Sequence, residues 1–525
     1  MALLRFAGTV GFWTLASRIL GFVRDILIAR FLGTTGVVEA FVVAFRFPNF
    51  FRRLVAEGAF TAAFVPMFSK KLEVEGRAKA LRFADETMAL LVTILFVFTI
   101  LAEIFMPQLM VVIAPGFVGR PEIFDTAVLF TRITFPYLLC MALVALLSGV
   151  LNSIFKFAAA AAAPILLNII LITGLVFARR YFETPAHLLS WGVVVAGVGQ
   201  FVWLAIACRR EGVALRFPWP RLSPELKRLL RIMVPGAIGA GVMQINLLIG
   251  TMIATLLPQG ALPMLYFADR VYQLPLGLIG IAIGTALLPD LSRRLAKDGV
   301  AAMAVFNRAI ELAMFFTLPA AIALMVVPEP IVSVLFERGK FDADAASGTA
   351  LALAAFSIGL PAYVLNRVLI PGFFARHDTK TPVLYAGISV AANIALSLLL
   401  IWPLGHVGIA LATAISAWLN VALLYRGLHR QGHLVLDAGI KRRLPRSVLA
   451  SLLMGGTLFG LALALEPWFA DRLPLKIAGL GALVLAGLAV YFAGAFVLRA
   501  VTLGELKGAM RRGGQAKPED IPPES

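Results

Sequence analysis

Apolar stretches of membrane-spanning length follow one another along almost the whole 525-residue chain, and a spanning helix needs about 20 such residues. They centre near residues 18, 52, 98, 138, 168, 198, 244, 279, 317, 359, 392, 418, 456 and 487. The pattern predicts an all-α polytopic membrane protein with about 14 transmembrane helices and no sizeable soluble domain. Composition agrees: 60% of residues are hydrophobic, 14% are charged and the mean hydropathy is +0.90, outside the range of soluble domains.

The formal charge of +18 does not point to nucleic acid, because the basic residues are scattered between apolar runs rather than gathered in one domain. They mark one alternate set of loops instead: Lys70, Lys71, Arg77, Lys79 and Arg82; Arg209 to Arg231; Arg293, Arg294 and Lys297; Arg376 and Lys380; Lys441 to Arg446. The other set is short and nearly neutral or mixed. Excess Lys and Arg belongs on the cytoplasmic side, so both termini are expected there. Arg18, Arg24 and Asp25 interrupt the first apolar run, and no small-residue cleavage site follows it; it reads as a retained helix rather than a signal peptide.

Chemistry of other kinds finds little support. Cys140 and Cys208 sit in apolar helical sequence, and His187, His377, His406, His429 and His433 lie near loop ends without ligand spacing. No metal site, cofactor or enzymatic activity is expected. No phosphate-binding GxxxxGK[ST] loop occurs, so transport would draw on an ion gradient, the membrane potential or consumption of product.

VPMFSKKL at 65–72 and LPDLSRRL at 288–295 each end a helix with a Pro, a Ser and a basic pair. Six helices separate them, and an even number keeps the orientation, so two parallel six-helix lobes are expected. Pro136 with Pro361, and Asn168 with Asn393, keep nearly the same offset. The last two helices have no counterpart, and the tail GGQAKPEDIPPES is polar and reads as disordered.

The informative residues are charges inside the apolar runs. A charge at the centre of a spanning helix costs about 2.5–3.5 kcal/mol, against about 0.3–0.6 returned by a Leu. In the first helix Arg18, Gly21 and Asp25 form one stripe with Arg24 beside it. The second carries Glu39, Arg46, Arg52, Arg53 and Glu57, with Arg53 and Glu57 one turn apart and able to pair. The eighth carries Asp269 and Arg270. For Arg30, Arg46 and Arg53, snorkelling or internal pairing accounts for the charge as well as a cavity does. Arg18 and Arg52 lie roughly 20 Å from the nearer helix end at about 1.5 Å per residue, which demands a hydrated cavity. Permanently charged, fork-shaped donors there suit an anionic, phosphate-bearing substrate. Pro48, Pro66, Pro235, Pro275, Pro289, Pro361 and Pro371, with GAIGAG at 236–241, allow bending around it.

SRILGFVRD (17–25), FRFPNFFRRLVAEGAFTAAFVP (45–66), YFADRVYQLPLGLIGIAIGTALLP (266–289) and RHDTKTP (376–382) resemble the MviN/MurJ family of bacterial lipid II flippases, within the multidrug/oligosaccharidyl-lipid/polysaccharide exporter superfamily. The likeness runs to about residue 505. It implies lobes at 1–220 and 221–440, a helix pair at 441–505 making a lipid-tail groove, a cytoplasmic tail at 506–525, and alternating access in the bacterial inner membrane. By the same resemblance Arg18, Arg24, Arg52 and Arg270 match cavity arginines that hold pyrophosphate, and Glu39 and Glu57 match cavity acids; Asp25, Asp269 and Arg53 complete the expected substrate-binding set. The implied partners are lipid II, the bilayer and cell-wall synthesis enzymes, with the chain as a monomer. A flippase for another polyprenyl-pyrophosphate glycan is the nearest rival. A drug/cation antiporter fits less well, because cationic cargo favours acidic cavities.

One departure bears on energetics. Some relatives are thought to bind sodium through carboxylates on helices seven and eleven, yet 232–257 and 381–402 contain no Asp or Glu here. Gly250, Asn393 and Ser397 lie where such ligands would be sought. A hard cation wants several oxygen ligands, usually including carboxylate, so membrane potential acting on cavity charges is the expected drive.

Overall fold

A computed structural model describes residues 2–280, 299–470 and 472–500, apart from the side chains of 2–9, 55–57, 236–240, 242, 243, 280 and 299–302. LPDLSRRL with Pro289, the basic residues 293–297 and the polar tail lie outside the described residues, as does the side chain of Glu57.

Among the described residues the chain is helical, with no strand. In unit one, α1 is Ala2–Leu32, α2 Gly36–Phe51, α3 Thr61–Val74, α4 Arg77–Ile104, α5 Met106–Ile113, α6 Pro121–Thr134, α7 Tyr137–Ser153, α8 Phe157–Thr173, α9 Pro185–Arg210 and α10 Pro224–Thr255. α11, Ala261–Pro275, follows. Nine described spans are long and apolar enough to cross a bilayer, among them Arg77–Ile104, Pro185–Arg210 and Leu473–Val497. Lys380–Arg430 joins two helices across a kink at Gly405, whose φ is +56°. The chain is thus a multi-pass membrane protein.

Two compact units organise the chain. The first takes Met1–Arg270, Leu335–Ala352 and Ala386–Thr413; the second takes Val271–Val334, Leu353–Tyr385 and Ala414–Ser525. In the first, Phe60, Phe64 and Phe68 recur every four residues, so their rings stack up one face, and Phe83 of α4 stacks on Phe64. In the second, Phe306, Ala313, Val368 and Leu424 pack one core. Phe315, Met454, Leu483 and Tyr491 pack another, which holds Leu473–Val497 against Ala438–Ala464.

Prolines shape the helices that matter. Pro48 lies inside α2 and has no N–H, which leaves the carbonyl of Ala44 without its helical donor; the Thr134 hydroxyl of α6 donates to it at 2.9 Å. The chain then runs through a π-helical segment, Arg52–Phe60, before α3. Such widened turns concentrate at functional sites. In the second unit, Pro319 frees the carbonyl of Phe315 in the same way, and the Tyr491 hydroxyl takes it. Of the prolines paired in the sequence, Pro136 lies in the break between α6 and α7 as the N-cap of α7, and Pro361 lies in the first turn of Leu360–Phe374.

Within the first unit Gly33 and Gly339, at φ +64° and +65°, let two backbones meet. The Lys340 N–H donates to the Arg30 carbonyl at 2.9 Å. A Cβ on Gly33 would lie 2.2 Å from the Lys340 oxygen, and one on Gly339 2.3 Å from the Arg30 oxygen.

Candidate functional site

The cluster of interest grows from two adjacent residues of α1. Asp25 is 2% exposed and Arg24 8%. Arg24 donates from Nε at 3.0 Å and Nη2 at 2.8 Å to Asp25 Oδ1, and from Nη1 at 3.0 Å to Asn168 Oδ1 of α8. Asn168 is itself oriented by donating through Nδ2 to the Ser17 carbonyl at 2.9 Å. Both partners of this buried guanidinium are therefore held by other groups, which fixes the fork in one plane.

α11 adds the second half. Tyr266 and Arg270 are one turn apart, and that spacing lays the guanidinium over the ring, 4.7 Å from its centroid. The Tyr266 hydroxyl donates to Asp25 Oδ1 at 3.1 Å, and Arg270 Nε lies 3.4 Å from Asp25 Oδ2. Arg46 of α2 approaches the same ring at 5.8 Å and donates from Nη1 to Thr251 Oγ1 at 2.7 Å. Three guanidiniums thus gather around one carboxylate and one phenol. Asp269 beside Arg270 is half-buried. Positive charge exceeds negative even when both acids are counted, so the cluster can accept an anion by charge-assisted hydrogen bonding. The Arg270 side chain is 29% exposed, which leaves it a route to a ligand.

The remaining expected residues are distributed around this cluster. Arg18 is exposed on α1, and Arg53 is exposed on the π-helical segment. Arg52 donates from Nε to Asn49 Oδ1 at 2.8 Å. The expected Arg53–Glu57 pair involves a side chain outside the described residues. Glu39 belongs to a second cluster: it is 1% exposed, Oε2 accepts from Arg120 Nη1 at 3.1 Å and Oε1 accepts from the Gly260 N–H at 2.8 Å. Arg120 spends its other nitrogens on the Thr255, Leu257 and Gly116 carbonyls.

Sequence reasoning missed Tyr266, Asn168 and Thr251 as members of the site and left Arg46 undecided. The four-residue spacing of Tyr266 and Arg270 was a readable signal. The 144-residue separation of Arg24 and Asn168 carried none.

Among the described residues no group of three or more His, Cys, Asp or Glu side chains gathers as metal ligands. Asn393 is buried and donates from Nδ2 to Asn246 Oδ1 of α10 at 2.8 Å. Ser397 is buried one turn on. These are neutral groups.

Helix set and topology place the chain in the class of polytopic membrane proteins. It shares its fold with a solved multidrug resistance MATE family transporter of the MOP superfamily in an inward-facing conformation, at a TM-score of 0.68 and 13% identity over 79% of this chain and 94% of that one. More particularly, the chain belongs to the lipid II flippase MurJ family, whose sequence model, described as "Lipid II flippase MurJ", matches residues 28–479. It is 45% identical to the probable lipid II flippase MurJ of Rhizobium tropici over 98% of this chain and 97% of that protein. It is 44% identical to that of Rhizobium meliloti (strain 1021) over 98% of each. The solved structure of "Lipid II flippase MurJ, inward closed conformation" superposes with a TM-score of 0.79, at 25% identity, over 93% of this chain and 98% of that one.

Proposed function

We propose that this chain flips the lipid-linked peptidoglycan precursor, undecaprenyl-pyrophosphate disaccharide-pentapeptide, from the inner to the outer leaflet of the bacterial cytoplasmic membrane. The observation that carries this reading is the convergence of Arg24, Arg46 and Arg270 on Asp25 and Tyr266, within a family whose near relatives bear that name. Arg24 and Arg270 hold the pyrophosphate, Arg18, Arg52 and Arg53 guide it by charge, and Asp25 and Asp269 keep the guanidiniums apart and oriented between cargoes. Glu39 serves the site by bracing α2 against Arg120.

Two six-helix lobes, 1–220 and 221–440, alternate their access, and the helix pair at 441–505 carries the polyprenyl tail. Loop charge supports termini in the cytoplasm. An anion that binds one state better than the other shifts the lobes between states. Membrane potential supplies the drive, since the α10 region and 381–402 offer Asn246, Asn393 and Ser397 where a sodium site would need carboxylates.

The test is a proteoliposome assay comparing lipid II, polyprenyl-linked O-antigen and a cationic dye. Lipid II is expected to move fastest; preference for the dye would overturn the reading. Replacing sodium leaves the rate unchanged and collapsing the potential slows it, whereas a strict sodium requirement would exclude the proposed drive.

A further inference from the structure

We propose that Tyr266 is a positioning residue that sets a preference for a lipid diphosphate over a lipid monophosphate. The inference rests on the arginine site just described and assigns to it a device that the charges alone do not supply.

Tyr266 is 4% exposed and acts through both of its ends. Its hydroxyl donates to Asp25 Oδ1, the same oxygen that takes Arg24 Nε and Nη2. The carboxylate is thereby pinned through one oxygen by Tyr266 and Arg24 together, and Oδ2 lies 3.4 Å from Arg270. Its ring meanwhile receives Arg270 at 4.7 Å and Arg46 at 5.8 Å, both within the range of a cation–π contact. Two like charges that would repel across an open cavity share one neutral seat.

The kind of seat matters. A further carboxylate beside Asp25 would bind the guanidiniums more tightly and compete with cargo. An aromatic face attracts the cation more weakly than a charge-assisted fork, so it aligns the arginines and yields them. Arg270 Nε is buried and its contact with Asp25 Oδ2 is a long ion pair of 3.4 Å rather than a hydrogen bond, so a ligand oxygen can take it over. A diphosphate presents two phosphoryl groups and can engage Arg46 and Arg270 together with Arg24. A monophosphate reaches fewer of them. Loss of the ring should therefore weaken the diphosphate far more than the monophosphate.

The experiment measures binding of undecaprenyl pyrophosphate and undecaprenyl monophosphate to the full-length protein in lipid nanodiscs, by native mass spectrometry. The wild type is expected to favour the diphosphate. Tyr266→Leu should lower that ratio at least fivefold, Tyr266→Phe, which keeps the ring, about twofold, and Tyr266→Leu combined with Arg270→Ala should be no weaker than Arg270→Ala alone. Unfolding temperature certifies each variant, and Tyr266→Met replaces Tyr266→Leu if the latter does not fold. An unchanged ratio in the folded Leu or Met variant, additive losses in the double variant, or a wild type indifferent to the two lipids overturns the proposal. Arg270→Ala that binds diphosphate normally sinks the arginine site itself. Loss of binding in Arg270→Ala with a normal ratio in Tyr266→Leu sinks only the role of Tyr266.

Discussion

Asp25 and Glu39 are both buried carboxylates on the first two helices, and they are used in opposite ways. Glu39 has each oxygen committed, one to Arg120 and one to a backbone N–H, and Arg120 is itself saturated with carbonyls from 116 and 255–257. Asp25 is shared by Arg24, Arg270 and Tyr266, and the Arg270 contact is long at 3.4 Å. The first arrangement is closed and resists change. The second is crowded with more cations than its carboxylate can satisfy, the condition under which an incoming anion gains most. Similar burial of an acid therefore says little about role; the account of its partners' remaining valences says more.

Breaking the Asp25 cluster should have the largest effect. Arg24→Ala and Arg270→Ala each remove charge-assisted hydrogen bonds worth about 1.5–3 kcal/mol apiece, and the loss of two such bonds is about a hundredfold or more. Lipid II translocation in proteoliposomes should fall by that factor while membrane insertion persists.

The Glu39 cluster should answer in stability. Glu39→Ala leaves the part-exposed Arg120 charge without its acid and the Gly260 N–H without its acceptor, at about 1–3 kcal/mol, read as a lowered unfolding temperature. Replacing both partners, Glu39→Leu with Arg120→Met, should recover much of that loss. If the double replacement is worse than the single one, the closed arrangement is not what distinguishes this cluster.

Smaller effects sharpen the contrast between polar groups that are spent and those that are spare. Thr134→Val and Tyr491→Phe each strip the donor from a proline-freed carbonyl, Ala44 in one unit and Phe315 in the other. Each should cost about 1–3 kcal/mol in unfolding free energy, and the two should be similar.

Least of all, the loop before Lys380–Arg430 should respond to acid. Asp378 accepts from the Thr381 and Lys380 N–H groups, and these bonds, Thr381 first, hold its carboxyl below its ordinary value. A depressed folded value contributes stability that is present above the unfolded value of about 3.9 and lost as pH falls through the folded one. The protection factors of the two amides against hydrogen exchange should fall on acidification below pH 4, and Asp378→Asn should flatten that dependence.

Much of the architecture was legible because its period is long and its chemistry coarse. Runs of apolar residues and the charges at 18–25, 46–57 and 269–270 declare themselves within a window of one helix. The partners of those charges do not. Asn168 reaches Arg24, Thr251 reaches Arg46 and Arg120 reaches Glu39 across 144, 205 and 81 residues, distances over which no periodicity acts. Only packing decides whether a buried arginine meets an acid, an amide or a ring.

The Tyr491 hydroxyl on the Phe315 carbonyl has a further bearing on the C-terminal helix. Hydrocarbon tails grip a leucine as readily as a neighbouring helix does, so apolar contact leaves a terminal span free to spin about its long axis. One directional bond in that greasy setting acts as a keyway. With the Lys476 Nζ bond to Ser333 Oγ near the other end, it fixes the azimuth of Leu473–Val497, and with it which stripe of small residues, Gly479, Gly487 and Ala495, turns inward.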